Sequence, residues 1–105
     1  EASTSGIIGP FIKKGKKAGD ERMLVYAIAN DLGWTRLGIS IPKRIGNAVR
    51  RHSVRRRVRE AFRKNKPSLP AGFDIACVAR PGAANRNANL AASLISLAKK
   101  AAIQN

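Results

Sequence analysis

Acidic residues are scarce in this sequence, which has six aspartates and glutamates against 21 lysines and arginines. The formal net charge is +15 at pH 7, and the sequence pI is about 11.6. A globular fold does not need such an excess, because like charges repel one another. A charge balance of this kind is normally kept for a polyanionic partner. The candidate partners are nucleic acid and an anionic membrane surface.

Side chains that carry enzymatic chemistry are also few. The chain has one cysteine, Cys77, and one histidine, His52, and its acids are scattered along the sequence. No metal-ligand cluster, phosphate-binding glycine loop or dinucleotide fingerprint is present. Cys77 is interpreted as a packed core thiol, and His52 as a solvated or RNA-contacting residue rather than a general base. We therefore expect no catalytic residue and no metal ligand in this chain.

Long apolar runs are missing as well. No stretch of about 18 apolar residues occurs, so no membrane-spanning helix is predicted, and the first residues lack the pattern of a signal peptide. Hydrophobic residues still make up 44% of the chain, which excludes a disordered basic tail. A lone cysteine excludes an intramolecular disulfide and fits a reducing cytosol. Residues 1–105 show one compositional regime and predict a single domain.

Three segments have the pattern of β-strands. Residues 22–30 are apolar and rich in β-formers, and residues 36–43 alternate between apolar and small or polar positions. These two segments are predicted to pair as an antiparallel hairpin, with Pro42 at a strand end, where its missing N–H does no harm. Residues 72–80 predict the third strand.

Two segments have the pattern of helices. The first carries apolar residues at helical spacing, namely Val54, Val58, Ala61 and Phe62. Asn47 is placed to cap this helix, which should run for about 18 residues. Residues 90–104 predict a closing helix with leucines on one face. Phe62 and Phe73 are assigned to the core.

The order of these segments defines the fold class. Strand, strand, helix, strand and helix predict an α+β sandwich, with helices against a small mixed sheet. Residues 13–21 are either a basic loop or an edge strand. Residues 1–12 are irregular or at best a short helix, because Pro10 does not fit a helix interior.

The first helix is unusually basic. Residues 44–66 contain ten lysines and arginines and one acid, Glu60. A solvated helix normally mixes charges of both signs, because opposite charges four residues apart support it. Here the like charges repel unless a partner neutralises them, so polyanion binding is favoured over a merely solvated face. Arginine also suits bidentate contacts with phosphate.

Aromatic residues offer a weaker signal. Tyr26 lies in a predicted strand and is either a core or rim tyrosine or a stacking platform for an unpaired base. Trp34, in a turn, is interpreted as a surface cover or as a lid on the predicted hairpin.

The basic segment resembles a known family. The stretch "RLGISIPKRIGNAVRRHSVRRRVREAFR", followed by "GFDIACVARPGA", resembles the protein subunit of bacterial ribonuclease P. The positions that match the family's pattern at the right spacing are Lys43, Arg44, Gly46, Asn47, Ala48, Val49, Arg51, Arg55, Arg56, Arg59, Glu60 and Phe62. His52 and Ser53 depart from it, standing where the family has asparagine and a basic residue, a loss partly compensated by Arg50 and Arg57.

The resemblance implies a fold and an activity. The fold is a two-layer sandwich of the ribosomal protein S5 domain 2 type, with a left-handed β-α-β crossover. An RNA subunit performs the hydrolysis that removes the 5′ leader from precursor tRNA, so the holoenzyme is an endoribonuclease and the protein is not its catalyst. The implied partners are ribonuclease P RNA, with one protein per RNA, and precursor tRNA. The holoenzyme requires Mg²⁺, none of it bound by the chain alone, and the implied location is the cytoplasm.

The resemblance also implies two binding sites. The residues implied to bind the RNA subunit are Lys43, Arg44, Asn47, Arg50, Arg51, His52, Arg55, Arg56 and Arg59. The residues implied to bind the leader, in a cleft between the N-terminal segment and the sheet, are Ile8, Phe11, Ile12, Lys13, Lys14, Tyr26 and Ser40. Ile8 and Ile12 occupy positions that usually hold aromatics, so base stacking on the leader is expected either to be weaker or to shift towards Phe11 and Tyr26. The lysines at positions 13, 14, 16 and 17 are implied either to contact phosphates beside Tyr26 or to form a solvated basic loop.

Three other functions share parts of this pattern. A ribosomal or other structural RNA-binding protein would have the same composition without a role in tRNA processing. A membrane-active basic helix would need a larger apolar stripe than valines and alanines provide. A metal-dependent protein nuclease would need a carboxylate cluster, which the sequence lacks.

Overall fold

Four strands form one mixed sheet in the computed structural model, which describes residues 16–103. The strands are β1 (Lys16–Gly19), β2 (Met23–Ala29), β3 (Arg36–Ser40) and β4 (Phe73–Ala79). Their order across the sheet is β1-β2-β4-β3. Strand β2 is antiparallel to both β1 and β4, whereas β3 is parallel to β4. The described part of the basic segment 13–21 therefore forms an edge strand. An edge strand was one of the two predictions for this segment.

The predicted hairpin between β2 and β3 is wrong, because β4 lies between them. Three consecutive residues of β4, Ile75, Ala76 and Cys77, are buried, as suits a strand with neighbours on both edges and packing on both faces. The loop between β2 and β3 also forms a hydrogen bond to the residue before β4, instead of forming a hairpin turn. The Asn30 N–H donates to the carbonyl of Gly72 at 2.9 Å.

Two helices follow the predicted pattern closely. Helix α1 (Ala48–Asn65) has 18 residues, and the Asn47 side chain accepts from the N–H of Arg50 at 2.9 Å. Both the length and the cap are confirmed. A short 3-10 helix at Lys66–Ser68, containing Pro67, ends α1. Helix α2 (Leu90–Ile103) closes the described chain.

One glycine before α1 is required by geometry. Gly46 has a φ of 149°, a conformation that residues with a side chain rarely adopt. A Cβ atom built there would lie 2.6 Å from Cδ of Arg50. The glycine thus lets the chain turn from the 3-10 helix Lys43–Ile45 into α1, and it brings the basic residues before the turn next to the helix.

Both helices pack on one face of the sheet. The core between the layers includes Val25 and Ile75 from the sheet, Val54 and Val58 from α1, and Leu94 from α2. This arrangement confirms the α+β sandwich. Strand β3, helix α1 and strand β4 form the parallel crossover; its left-handed sense stays a prediction from the family resemblance.

Cys77 lies inside this core and is fully buried. Burial, with a smaller effect of the negative charge of Asp20, raises the pKa of the Cys77 thiol to about 12. Its Sγ donates to Sδ of Met23 at 3.6 Å. The interpretation as a packed core thiol is confirmed. Phe62 and Phe73, which were assigned to the core, pack against it but are only partly buried.

The opposite face of the sheet carries a second apolar cluster. Tyr26 and Ala76 are its buried members, and Leu24, Ile28 and Val78 pack against them. These residues alternate along β2 and β4 with the residues that face the helices. Tyr26 therefore points away from the helix layer.

Candidate nucleic-acid interface

Helix α1 presents one apolar stripe and a cationic remainder. Val54, Val58 and Ala61 are buried against the sheet and α2. On the other side of the helix His52, Arg56, Arg59 and Arg63 are exposed. The helix is thus held by its valines while its arginines are presented outward, as the 100° spacing predicts.

The start of α1 extends this cationic surface. Lys43, Arg44, Asn47 and Arg50 are all exposed. The Oδ1 atom of Asn47 accepts the hydrogen bond of the helix cap, so this exposed residue orders the first turn of the helix. The short 3-10 helix before Gly46 places its two cations beside the exposed first turn of α1.

Two predicted RNA-subunit contacts are only half-exposed. An Nη1 atom of Arg55 lies 3.5 Å from the carbonyl of Ile39, at the long limit of a hydrogen bond. Arg55 therefore reaches over the free edge of β3 as well as towards solvent. The Nε atom of Arg51 is buried and has no hydrogen-bond partner within the described part of the chain. Of the residues predicted for this site, Arg51 and Arg55 are the two that are not fully exposed.

Arg57 has a structural task that sequence reasoning missed. Its guanidinium donates to the carbonyls of Ala83, Asn85 and Ala88, at 3.1, 3.3 and 2.9 Å. These contacts fasten the loop between β4 and α2 onto α1. The expectation that Arg57 compensates for a missing RNA contact does not fit this geometry, because its donors are turned to the loop.

The single acid of α1 is paired within the helix. Arg63 donates to Glu60 at 2.7 Å, and this hydrogen bond holds the pKa of the Glu60 carboxyl below its usual value. The pair lies three residues apart on an exposed face, where such pairs are weak. Glu60 thus offsets little of the positive field of the helix.

The predicted leader-binding residues fall on the other side of the sheet, as far as they are described. Tyr26 is 8% exposed. Ser40 is half-buried. It pairs with Val78 of β4, and Val78 pairs on its other side with Leu24 of β2. Paired residues point to the same face, so Tyr26 and Ser40 share the face opposite the helices. The remaining predicted leader contacts, Ile8, Phe11, Ile12, Lys13 and Lys14, lie outside the described residues.

One basic residue of the edge strand joins this face. Lys17 pairs with Tyr26 across β1 and β2 and is exposed. Its position makes it a neighbour of the tyrosine, in agreement with the interpretation of this lysine as a phosphate contact; the alternative of a solvated lysine stays open. Within residues 16–103, no group of three or more His, Cys, Asp or Glu side chains is placed to hold a metal ion.

The geometry defines a class of protein. A strongly basic α+β sandwich presents an arginine-rich helix on one layer, and on the reverse of its sheet a tyrosine beside a lysine. The exposed cations provide phosphate contacts, and the tyrosine adds a small exposed aromatic surface beside Lys17. Such a molecule is a nucleic-acid-binding protein. No helix in the described range is long and apolar enough to cross a bilayer.

Comparison with known proteins gives the family. The family model named Ribonuclease P matches residues 8–102. The chain is 38% identical over 92 residues to the ribonuclease P protein component of Lachnoclostridium phytofermentans, covering 87% of this chain and 79% of that protein. It is 43% identical over 70 residues to the same component of Thermotoga maritima, covering 67% of this chain and 60% of that protein. The chain belongs to the ribonuclease P protein family, as its basic helix motif indicated.

Solved structures agree. The ribonuclease P protein of Staphylococcus aureus superposes with a TM-score of 0.81 at 29% identity, covering all of this chain and 99% of that one. The Thermotoga maritima protein superposes with a TM-score of 0.80 at 32% identity, covering 89% of each chain. Several curated relatives are longer than their aligned region: the alignments with the Pelotomaculum thermopropionicum and Thermotoga maritima proteins span 64% and 60% of those proteins.

Proposed function

We propose that this chain is the RNA-binding protein component of a ribonuclease P holoenzyme, in which an RNA subunit cuts the 5′ leader from precursor tRNA. The observation that carries the proposal is the exposed cationic side of α1, which holds the family's motif on a helix whose opposite side is fixed in the core. The chain supplies binding and charge, and the hydrolysis belongs to the RNA. The same helix argues against a membrane-active role, because its apolar stripe is already buried.

The two surfaces divide the work. Helix α1 and the 3-10 helix before it hold the RNA subunit through Lys43, Arg44, Arg50 and Arg56. The face that bears Tyr26 and Ser40 takes the single-stranded leader. Because the sheet separates these surfaces, one small protein can contact enzyme RNA and substrate at the same time. One protein per RNA is sufficient for this arrangement, and the cytoplasm is where we place it.

The physical benefit is electrostatic. The RNA subunit and precursor tRNA are both polyanions and repel each other. A protein of net charge +15 between them neutralises phosphates of both and releases their counterions. The holoenzyme's Mg²⁺ is the RNA's requirement, and the protein lowers the concentration of Mg²⁺ at which the RNA binds and cuts its substrate.

The test is cleavage of a 5′-extended precursor tRNA at low Mg²⁺ by a bacterial ribonuclease P RNA, with and without this protein. RNA alone should be nearly silent, and protein alone silent. Correct 5′ cleavage on mixing the two supports the proposal. Binding without cleavage would favour a structural RNA-binding protein with another task, and cleavage by the protein alone would indicate a protein nuclease.

A further inference from the structure

An unassigned groove lies where the link between β2 and β3 meets the second half of α1. It has a volume of about 550 Å³ and runs along the free edge of β3. Its lining combines two aromatic residues with several cations, among them Trp34, Phe62, Arg36, Arg59, Arg63 and Lys66. The sequence alone does not bring these residues together, because Trp34 lies at least 25 positions before the helical ones.

Trp34 is the most exposed aromatic side chain that the structure describes. It is 54% exposed, although tryptophan is among the residues that gain most from burial. Its loop is well anchored: Asn30 Nδ2 donates to the Trp34 carbonyl at 3.0 Å and to Asp74 at 2.9 Å. The next residue, Thr35, donates its hydroxyl to the carbonyl of Pro70. The indole is therefore carried by an ordered loop, which lowers the entropic cost of stacking a ligand on it.

The charges around the groove favour an anion. None of the described residues that line the groove is acidic. Two of its cations, Arg36 and Arg63, are paired with acids outside it, Asp74 and Glu60. Lys66 Nζ lies 5.7 Å from the centre of the Phe62 ring, so cation and aromatic ring are already adjacent. An aromatic platform with cations at its rim matches a nucleobase with its own phosphates. A protein segment would need acids spaced to match these cations.

We propose that this groove binds an unpaired nucleotide, with its base stacked on Trp34 and a flanking phosphate held by Lys66. The inference rests on the proposed function for the class of ligand, which is RNA. The groove adjoins the cationic side of α1, because Arg59 and Arg63 follow Arg56 at helical spacing on one side of that helix. A strand that leaves this side of α1 can therefore enter the groove. The RNA subunit and the precursor tRNA both contain unpaired nucleotides, and the experiment separates these two sources.

The test uses Trp34 as its own reporter, because it is the only tryptophan of the chain. The full chain is titrated with ribonuclease P RNA, with precursor tRNA and with mature tRNA, while indole fluorescence is followed. Stacking should quench the fluorescence with saturation in one of the first two titrations. The titration that quenches identifies the source of the nucleotide.

Variants show whether the quenching comes from a base stacked on Trp34 or from RNA that binds near the indole without contacting it. Trp34→Ala should weaken binding of the quenching RNA by about 5- to 100-fold, and Trp34→Phe should recover most of it. Leu32→Ala is the matched control, an exposed apolar residue of the same loop, and should change nothing. Lys66→Gln should weaken binding and reduce its salt dependence, whereas Lys100→Gln, on α2, should do neither.

Two failures are distinguishable. If RNA binding and cleavage are intact but no titration quenches Trp34, and Trp34→Ala and Lys66→Gln bind as the unaltered protein does, the groove proposal is overturned and the proposed function stands. The same pattern is expected if the groove holds a protein segment. If the unaltered protein binds no RNA in any titration, the proposed function fails and the groove proposal fails with it.

Discussion

Two adjacent arginines on α1, Arg56 and Arg57, differ in their surroundings. Arg56 is exposed on the cationic side of the helix, and Arg57 is half-buried with three carbonyl partners. The sequence predicts Arg56 as an RNA contact and Arg57 as partial compensation for a missing one, and it does not predict that Arg57 binds a loop. The difference arises from the loop between β4 and α2, whose position against α1 is a long-range contact that the sequence pattern does not reveal.

This difference gives a paired prediction. Arg57→Ala should lower the free energy of unfolding by about 1–3 kcal/mol, because part-buried carbonyls lose charged donors, as measured by urea denaturation. Arg56→Ala should change stability by less than about 0.5 kcal/mol. It should weaken binding to ribonuclease P RNA by about 3- to 10-fold and lower the salt slope by about one. Equal stability losses in the two variants, or unchanged RNA affinity in Arg56→Ala, would contradict these roles.

Among the elements, α1 was predicted most completely, whereas the pairing of β3 was predicted wrongly. The apolar spacing of Val54 and Val58, the cap at Asn47 and the stop at Pro67 are all local, so they fix the bounds of the helix. Strand order is not local. The pattern of residues 36–43 shows that a strand exists and which residues share a face, but it contains no information on whether β2 or β4 lies beside it.

The two proposed binding surfaces on the helix side differ in the same way, because one depends on local sequence and the other on long-range contacts. The cationic side of α1 could be read from one helix. The groove at Trp34 could not, because it needs the loop between β2 and β3 to meet the end of α1. The position of Trp34 in a turn predicts a surface cover or a lid on the hairpin, and the sequence contains no signal that places Phe62 and Lys66 in the same groove.

An acid at the start of β4 connects three elements and makes stability depend on pH. A hydrogen bond from Arg36 of β3, and a second from Asn30 after β2, hold the pKa of Asp74 below its usual value of 3.8, against the opposing effect of burial. A depressed folded-state pKa stabilises the fold above the unfolded-state pKa. That stabilisation is lost as the pH falls through the folded-state value.

We therefore expect the free energy of unfolding, measured by urea denaturation, to decrease as the pH is lowered below about 4. In Asp74→Asn this free energy should decrease less over the same pH range. Asp20 contributes in the same direction, because hydrogen bonds from Ser93 and from the N–H groups of Arg22 and Met23 outweigh its burial and lower its pKa. In Asp74→Asn the loss of unfolding free energy at low pH should therefore be reduced but not abolished. If the unfolding free energies of the unaltered protein and of Asp74→Asn changed in parallel with pH, the hydrogen bonds of Asp74 would make no contribution to the pH dependence of stability.

For the whole molecule, charge is the dominant property. The net charge of +15 is spread over both layers, with α1 on one side and the basic strand β1 on the edge of the sheet. Composition was enough to predict a polyanionic partner, because the fold needs no such excess. Composition could not show that the sheet separates two surfaces, which follows from the order β1-β2-β4-β3 and from both helices packing on one face.

The salt dependence of binding tests this electrostatic account. If the protein neutralises about six phosphates, the logarithm of its affinity for ribonuclease P RNA should fall against the logarithm of salt concentration with a slope of roughly −4 to −5. The measurement is equilibrium binding over a range of monovalent salt at fixed Mg²⁺. A slope near zero would mean that phosphate contacts do not hold the complex together.

The division of work between two surfaces is tested most directly by the affinity of the RNA subunit, with and without this protein, for precursor tRNA and for mature tRNA at one salt and Mg²⁺ concentration. If one surface holds the RNA subunit and the other the leader, adding the protein should strengthen binding of the leader-bearing substrate by about tenfold or more beyond any gain for mature tRNA. An equal gain for the two tRNAs would contradict the account, because the protein would then act through charge alone without touching the leader.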